Sequence, residues 1–119
     1  GQVLLVEAKT NWKDDGRREI RYAIGQLLEY EHFLVPHIVP KATRKTFRLI
    51  LLEQRPDPKL ATFAEKYKFF VAWFADKTFQ KLDAGPKTAI LFRELGLCPD
   101  RNQAPGASRP GQARENVFE

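Results

Sequence analysis

Hydrophobic positions follow two rhythms along this chain. In "VLLVEAKT", Val3 to Thr10, four aliphatics run together and put apolar side chains on both faces of an extended segment, Val3 and Leu5 on one, Leu4 and Val6 on the other. Such a strand is expected in the middle of a sheet that is covered on both sides. From Arg17 to Leu34 the rhythm lengthens: Ile20, Ala23, Ile24, Leu27 and Leu34 recur at helical spacing and predict a long amphipathic helix that ends before Pro36. Between the two, "NWKDDGR" turns the chain, with Asp15 and Gly16 as the turn signal and Asp14 or Asp15 as a helix cap.

The pattern continues in shorter units. "TFRLILLE", Thr46 to Glu53, reads as a second strand, and "RPDPKLATFAEKY" as a turn followed by a short helix ending near Tyr67. Phe69 to Ala75 reads as a third strand, with a tight turn at Asp76 and Lys77, a return strand from Thr78 to Leu82, and a last helix from Lys87 to Leu95. The order strand, helix, strand, helix, strand predicts an α/β sandwich whose first two strands are parallel across a right-handed crossover. After Cys98 the chain becomes rich in Pro, Gly, Gln, Arg and Asn, so residues 1–97 are expected to form one domain and 98–119 a disordered tail.

Composition narrows the possibilities. A chain of 119 residues suits one domain, and no apolar run approaches the roughly 20 residues of a membrane-spanning helix. The single cysteine, Cys98, lacks His or Cys neighbours at metal-ligand spacing, which argues against zinc and a disulfide scaffold and points to a reducing cytoplasm. A net charge of +5 favours polyanionic partners such as nucleic acid. The chain opens on Gly1 with no signal pattern before its first strand, as expected of a piece trimmed from something longer.

Candidate chemistry begins with Glu7 and Lys9. Two apart on a strand, they share a face, while Ala8 points the other way. The plain reading is a surface ion pair at a strand end. On the following helix Tyr22, Gln26, Tyr30 and Phe33 form a stripe beside the aliphatic face, opposite Arg17, Arg18, Arg21, Gly25 and His32. Gln26 carries an amide that must find a partner, and Gly25 suggests close approach of a neighbouring element or a phosphate backbone. A packing notch at Gly25 and two core tyrosines are the structural alternative.

A strand ending "VEAKT", a turn and a helix carrying "RYAIGQLLEY" together resemble the PD-(D/E)XK, or restriction-endonuclease-like, nuclease superfamily, in particular its Gln-x-x-x-Tyr, RecB-like branch. The resemblance covers Val3 to Phe33, and to Ala75 in element order only. It implies a restriction-endonuclease-like core, incomplete at the N-terminus, and metal-dependent phosphodiester hydrolysis of DNA in a restriction, repair or defence system. By the same resemblance Glu7 and the Ala8 carbonyl ligate Mg²⁺ (or Mn²⁺), Lys9 positions the attacking water, and Gln26 and Tyr30 line the catalytic site. Trp12, Lys13, Arg17, Arg18 and Arg21 are candidates for nucleic-acid binding, Lys41, Arg44 and Lys45 form a second basic cluster, and His32 and His37 have no assigned role.

The family pattern also needs an acid, usually Asp, on an upstream strand, and none of the six residues before Glu7 is acidic. The expectation is therefore the carboxyl-terminal portion of a nuclease domain, binding metal weakly and cutting poorly by itself. The alternative is a non-catalytic nucleic-acid-binding module or a degenerate nuclease remnant. A missing N-terminal part of the same domain and a homodimer are the expected partners besides DNA, and an unpaired sheet edge predicts self-association.

Overall fold

The leading aliphatic run forms strand β1, Gln2–Lys9, and "KTFRLILL" forms β2, Lys45–Leu52. β3 spans Phe69–Phe74 and β4 Leu82–Ala84. The computed structural model describes residues 2–10, 14–40, 44–76 and 81–97. Within these, the strands form one sheet in the order β1-β2-β3-β4, parallel from β1 to β3 and antiparallel at β4. The parallel pairing of the first two strands is as the pattern predicts. The expected tail at 98–119, Lys77 of the expected turn, and Thr78 to Gln80 of the expected return strand lie outside the described residues.

Helix α1, Arg17–Glu29, and α3, Pro58–Lys66, cover one face of the sheet; α4, Pro86–Glu94, covers part of the other. Under α1 and α3 the fully buried Ile20, Leu27, Ile50, Leu52 and Val71 form the main core, each side chain contributing about 1.5–3 kcal/mol by burial. Beneath α4 a smaller cluster of Leu49, Ala72 and Phe92 serves the opposite face.

Local signals explain where the helices begin. Gly16 enters α1 at φ 92, a left-handed conformation that suits glycine, and Asp15 Oδ1 accepts the Arg17 N–H at 3.1 Å. Asp57 caps α3 by accepting the Lys59 N–H at 2.8 Å, with Pro58 pre-set in the first helical position.

Two expectations require correction. The helical chain does not stop before Pro36: a π-helical turn, Tyr30–Leu34, follows α1, and a short helix α2, Val35–Ile38, contains the proline. The Val35 N–H reaches back to the Tyr30 carbonyl, and this wider turn places Pro36 in a first helical turn, where its missing N–H costs little. The second correction concerns β1, which among the described residues pairs on one side only, with β2. Val3, Leu5, Glu7 and Lys9 face α1, whereas Leu4 and Val6 are 39% and 46% exposed on the other face.

A buried carboxylate joins the two sides. Glu65, near the end of α3, accepts the Thr88 N–H at 2.8 Å, the Thr88 hydroxyl at 2.6 Å and the Lys87 N–H at 3.3 Å. Thr88 Oγ1 in turn accepts the Val71 N–H of β3 at 2.7 Å. Gly85 precedes α4 because a Cβ there would collide with the Glu65 carboxylate. Replacing Thr88 with Val keeps the shape but strands the Val71 N–H and removes one of the two donors to the Glu65 oxygen that the Thr88 N–H still serves, so Thr88→Val is expected to cost about 3 kcal/mol in urea denaturation. An unchanged unfolding midpoint would remove the network from any account of stability.

Candidate functional site

Helix α1 starts beyond the carboxyl end of β1 and runs back along the strand, so its later turns meet the strand's odd-numbered side chains. One flank of α1 and the turn after it faces β2 and β3: Glu31 pairs with Arg48 at 2.8 Å, and the Arg48 guanidinium lies 4.7 Å from the Phe69 ring centre. The other flank, carrying Glu19, Gln26 and Tyr30, consequently faces the outer side of β1.

There the Tyr30 hydroxyl donates to the Glu7 carboxylate. The negative charge of Glu7, then desolvation, raise the Tyr30 phenol above its ordinary value of 10.0. Lys9 Nζ lies 3.5 Å from Glu7 Oε2, with the two side chains 24% and 15% exposed. Gln26, one turn before Tyr30, holds its Oε1 buried without a hydrogen-bond partner. Glu7, Lys9 and Tyr30 are thus brought together, and Gln26 presents an unused acceptor on the same flank.

Ala8 belongs to the strand's outer edge. The Glu53 N–H donates to the Lys9 carbonyl at 3.1 Å, so Lys9 points its main-chain groups toward β2. By the alternation of a strand, Ala8 points its carbonyl away from the sheet. Glu53 itself was missed by the sequence pattern. It closes β2 as "EAK" closes β1, shares an open groove with Ala8, Lys9, Thr10, Leu51, Leu52 and Phe74, and keeps a buried Oε1 without a partner. The signal available was a carboxylate placed directly after an aliphatic strand, "RLILLE".

The basic candidates divide. Arg17, Arg18 and Arg21 are exposed along the first turns of α1, Arg18 lying 5.3 Å from the Tyr22 ring centre. Trp12, Lys13 and Lys41 lie outside the described residues. Arg44 is turned to the Val39 carbonyl at 3.4 Å and Lys45 to the Phe47 ring. His32 packs edge-on against Phe33, and His37 is exposed. The close approach expected at Gly25 is absent among the described residues: a Cβ there meets nothing within 4 Å.

No protein-family model, curated protein or solved structure matches the chain.

Two measurements check this geometry. Glu7→Gln should bring the Tyr30 phenol down toward its ordinary value, seen as an earlier rise of tyrosinate absorbance in an alkaline titration with Tyr30→Phe identifying the signal. Because the folded-state value is raised, the contact's contribution to stability is present below the ordinary value and lost as pH rises through the shifted one. Gly25→Ala should stabilise the fold by about 0.5–1 kcal/mol, since an open helical site gains only from the better helix former. Destabilisation would reveal a neighbour pressed against Gly25.

Proposed function

We propose that this chain carries part of a metal-dependent phosphodiesterase site acting on DNA, the reading implied by its Glu-x-Lys strand and Gln-x-x-x-Tyr helix. The single observation that carries it is the meeting of Tyr30 with Glu7 beside Lys9, which brings residues from the two halves of the motif to one place. In this reading Lys9 orients water and offsets phosphate charge, while Tyr30 and Gln26 hold the surrounding groups.

A hard divalent ion such as Mg²⁺ or Mn²⁺ favours oxygen donors like the Glu7 carboxylate and the outward Ala8 carbonyl. These two do not complete a site. No group of three His, Cys, Asp or Glu side chains comes together among the described residues, and Lys9 already neighbours Glu7. A further acid from outside the described residues is therefore required for cleavage. The exposed Arg17, Arg18 and Arg21 supply the attraction for a phosphate backbone that either a nuclease or a binding module needs.

Duplex DNA binding measured against salt, together with a Mg²⁺ cleavage assay, tests the proposal. Binding should weaken with salt, and replacing Arg17 and Arg21 with Ala should reduce the slope by about 2. Glu7→Gln and Lys9→Ala should abolish whatever cleavage the chain shows while leaving DNA affinity intact. Cleavage surviving both substitutions would refute the assignment. Salt-dependent binding with no cleavage even when an acid-bearing strand is supplied would favour the non-catalytic module.

A further inference from the structure

The outward side of α3 combines charge and aromatic rings. At about 3.6 residues per turn Lys59, Phe63, Lys66 and Tyr67 share one strip, and all four are exposed, Phe63 by 48% and Tyr67 by 55%. The helix has a single acid, Glu65, which is buried and engaged by α4, so the strip carries positive charge only. Neither ion pair among the described residues involves Lys59, Lys66 or Lys68. The Phe63 and Tyr67 rings meet edge-on at 5.6 Å, and the Lys66 ammonium lies 5.7 Å from the Tyr67 ring centre.

Lys68 adds an independent observation. It follows the helix at φ 69, a left-handed conformation that glycine adopts at lower cost, and it is the only non-glycine among the described residues to do so. A cation held where the backbone favours glycine extends the strip past the last turn.

We propose that this strip binds single-stranded DNA, with neighbouring bases stacking on Phe63 and Tyr67 while Lys59, Lys66 and Lys68 hold the phosphates. Ring faces serve any base, and an ammonium beside a ring matches a phosphate beside its base. A lipid surface calls for a broader apolar face, and α3 exposes no aliphatic side chain beside its rings. The charge also continues off the helix. The Asp57 N–H donates to the Asp15 carbonyl at 2.9 Å, which sets the first turns of α3 and α1 side by side, with Lys59 and Arg17 each two residues further on. Helix α1 stands between α3 and the outer edge of β1, so a strand added at that edge leaves the strip open. The choice of DNA over RNA rests on the nuclease reading of Arg17 and Arg21; the strip itself uses neither Glu7, Lys9 nor a metal.

Fluorescence anisotropy of labelled oligothymidylate over a series of salt concentrations tests it, with circular dichroism as the check on folding. Phe63→Ala and Tyr67→Ala should each weaken binding about tenfold, whereas Tyr67→Phe keeps the ring and should bind as the parent does. Replacing Lys59 and Lys66 together with Ala should lower the salt slope by about 1.4. Lys68→Gly should raise the urea midpoint yet weaken binding about threefold, a pairing that a merely structural lysine does not give. Glu7→Gln should bind oligothymidylate as the parent does, so a failed cleavage assay and a failed strip are told apart. Oligothymidylate binding that survives both ring-to-Ala substitutions overturns the proposal, as does its absence from the parent chain. Equal losses on a DNA duplex, a tenfold preference for oligouridylate, or binding to phosphatidylserine vesicles in place of DNA would also overturn it.

Discussion

One buried charge holds the layers of this fold in register. Glu65 is 3% exposed, and a carboxylate in such a place is costly unless fully engaged. Here it accepts charge-assisted hydrogen bonds from the first turn of α4, where unpaired N–H groups and the helix dipole favour negative charge, and from Thr88. Thr88 passes the constraint on to the N–H of Val71, fully buried at the sheet's centre. A helix on one face is thereby fixed to a helix on the other through a central strand. Because the anchor lies at β3, α4 covers the β3 and β4 side, and among the described residues no helix covers that face along β1.

The candidate site is set by the opposite end of the same sheet. Parallel β1 and β2 both run out at carboxylates or their neighbours, Glu7 and Glu53, and the helix between them must return along β1 to begin β2. That return is what seats Tyr30 against Glu7. The π-helical turn beginning at Tyr30 belongs to the same segment: it lets the helical chain absorb Pro36, so the rod continues past the site instead of breaking at it.

Much of this is legible in the residues. Element order and the parallel first pair follow from the hydrophobic pattern, and a spacing of two puts Glu7 and Lys9 on one strand face, whereas bringing Tyr30 to them is what the resemblance, not the spacing, implies. What escapes the pattern depends on long-range partners. Pro36 reads as a helix stop because nothing in its neighbours announces a wider turn. Glu65 reads as one more polar residue on a short helix, since the donors it serves lie more than twenty residues away on α4. Gly25 reads as a contact position, yet open space costs a helix the same residue choice without repaying it.

β1 is where sequence and surroundings disagree most, and the disagreement has a physical direction. A strand apolar on both faces gains little from solvent, and outward main-chain groups without guarding charges favour any strand that can pair with them. The same edge carries the Ala8 carbonyl beside Glu7 and Lys9. Whatever covers β1 therefore also decides what the Glu7 carboxylate can reach. An added strand bearing an acid would enlarge its set of oxygen donors. Edge and site are coupled through one strand, so the occupancy of the edge sets the chemistry open to the site.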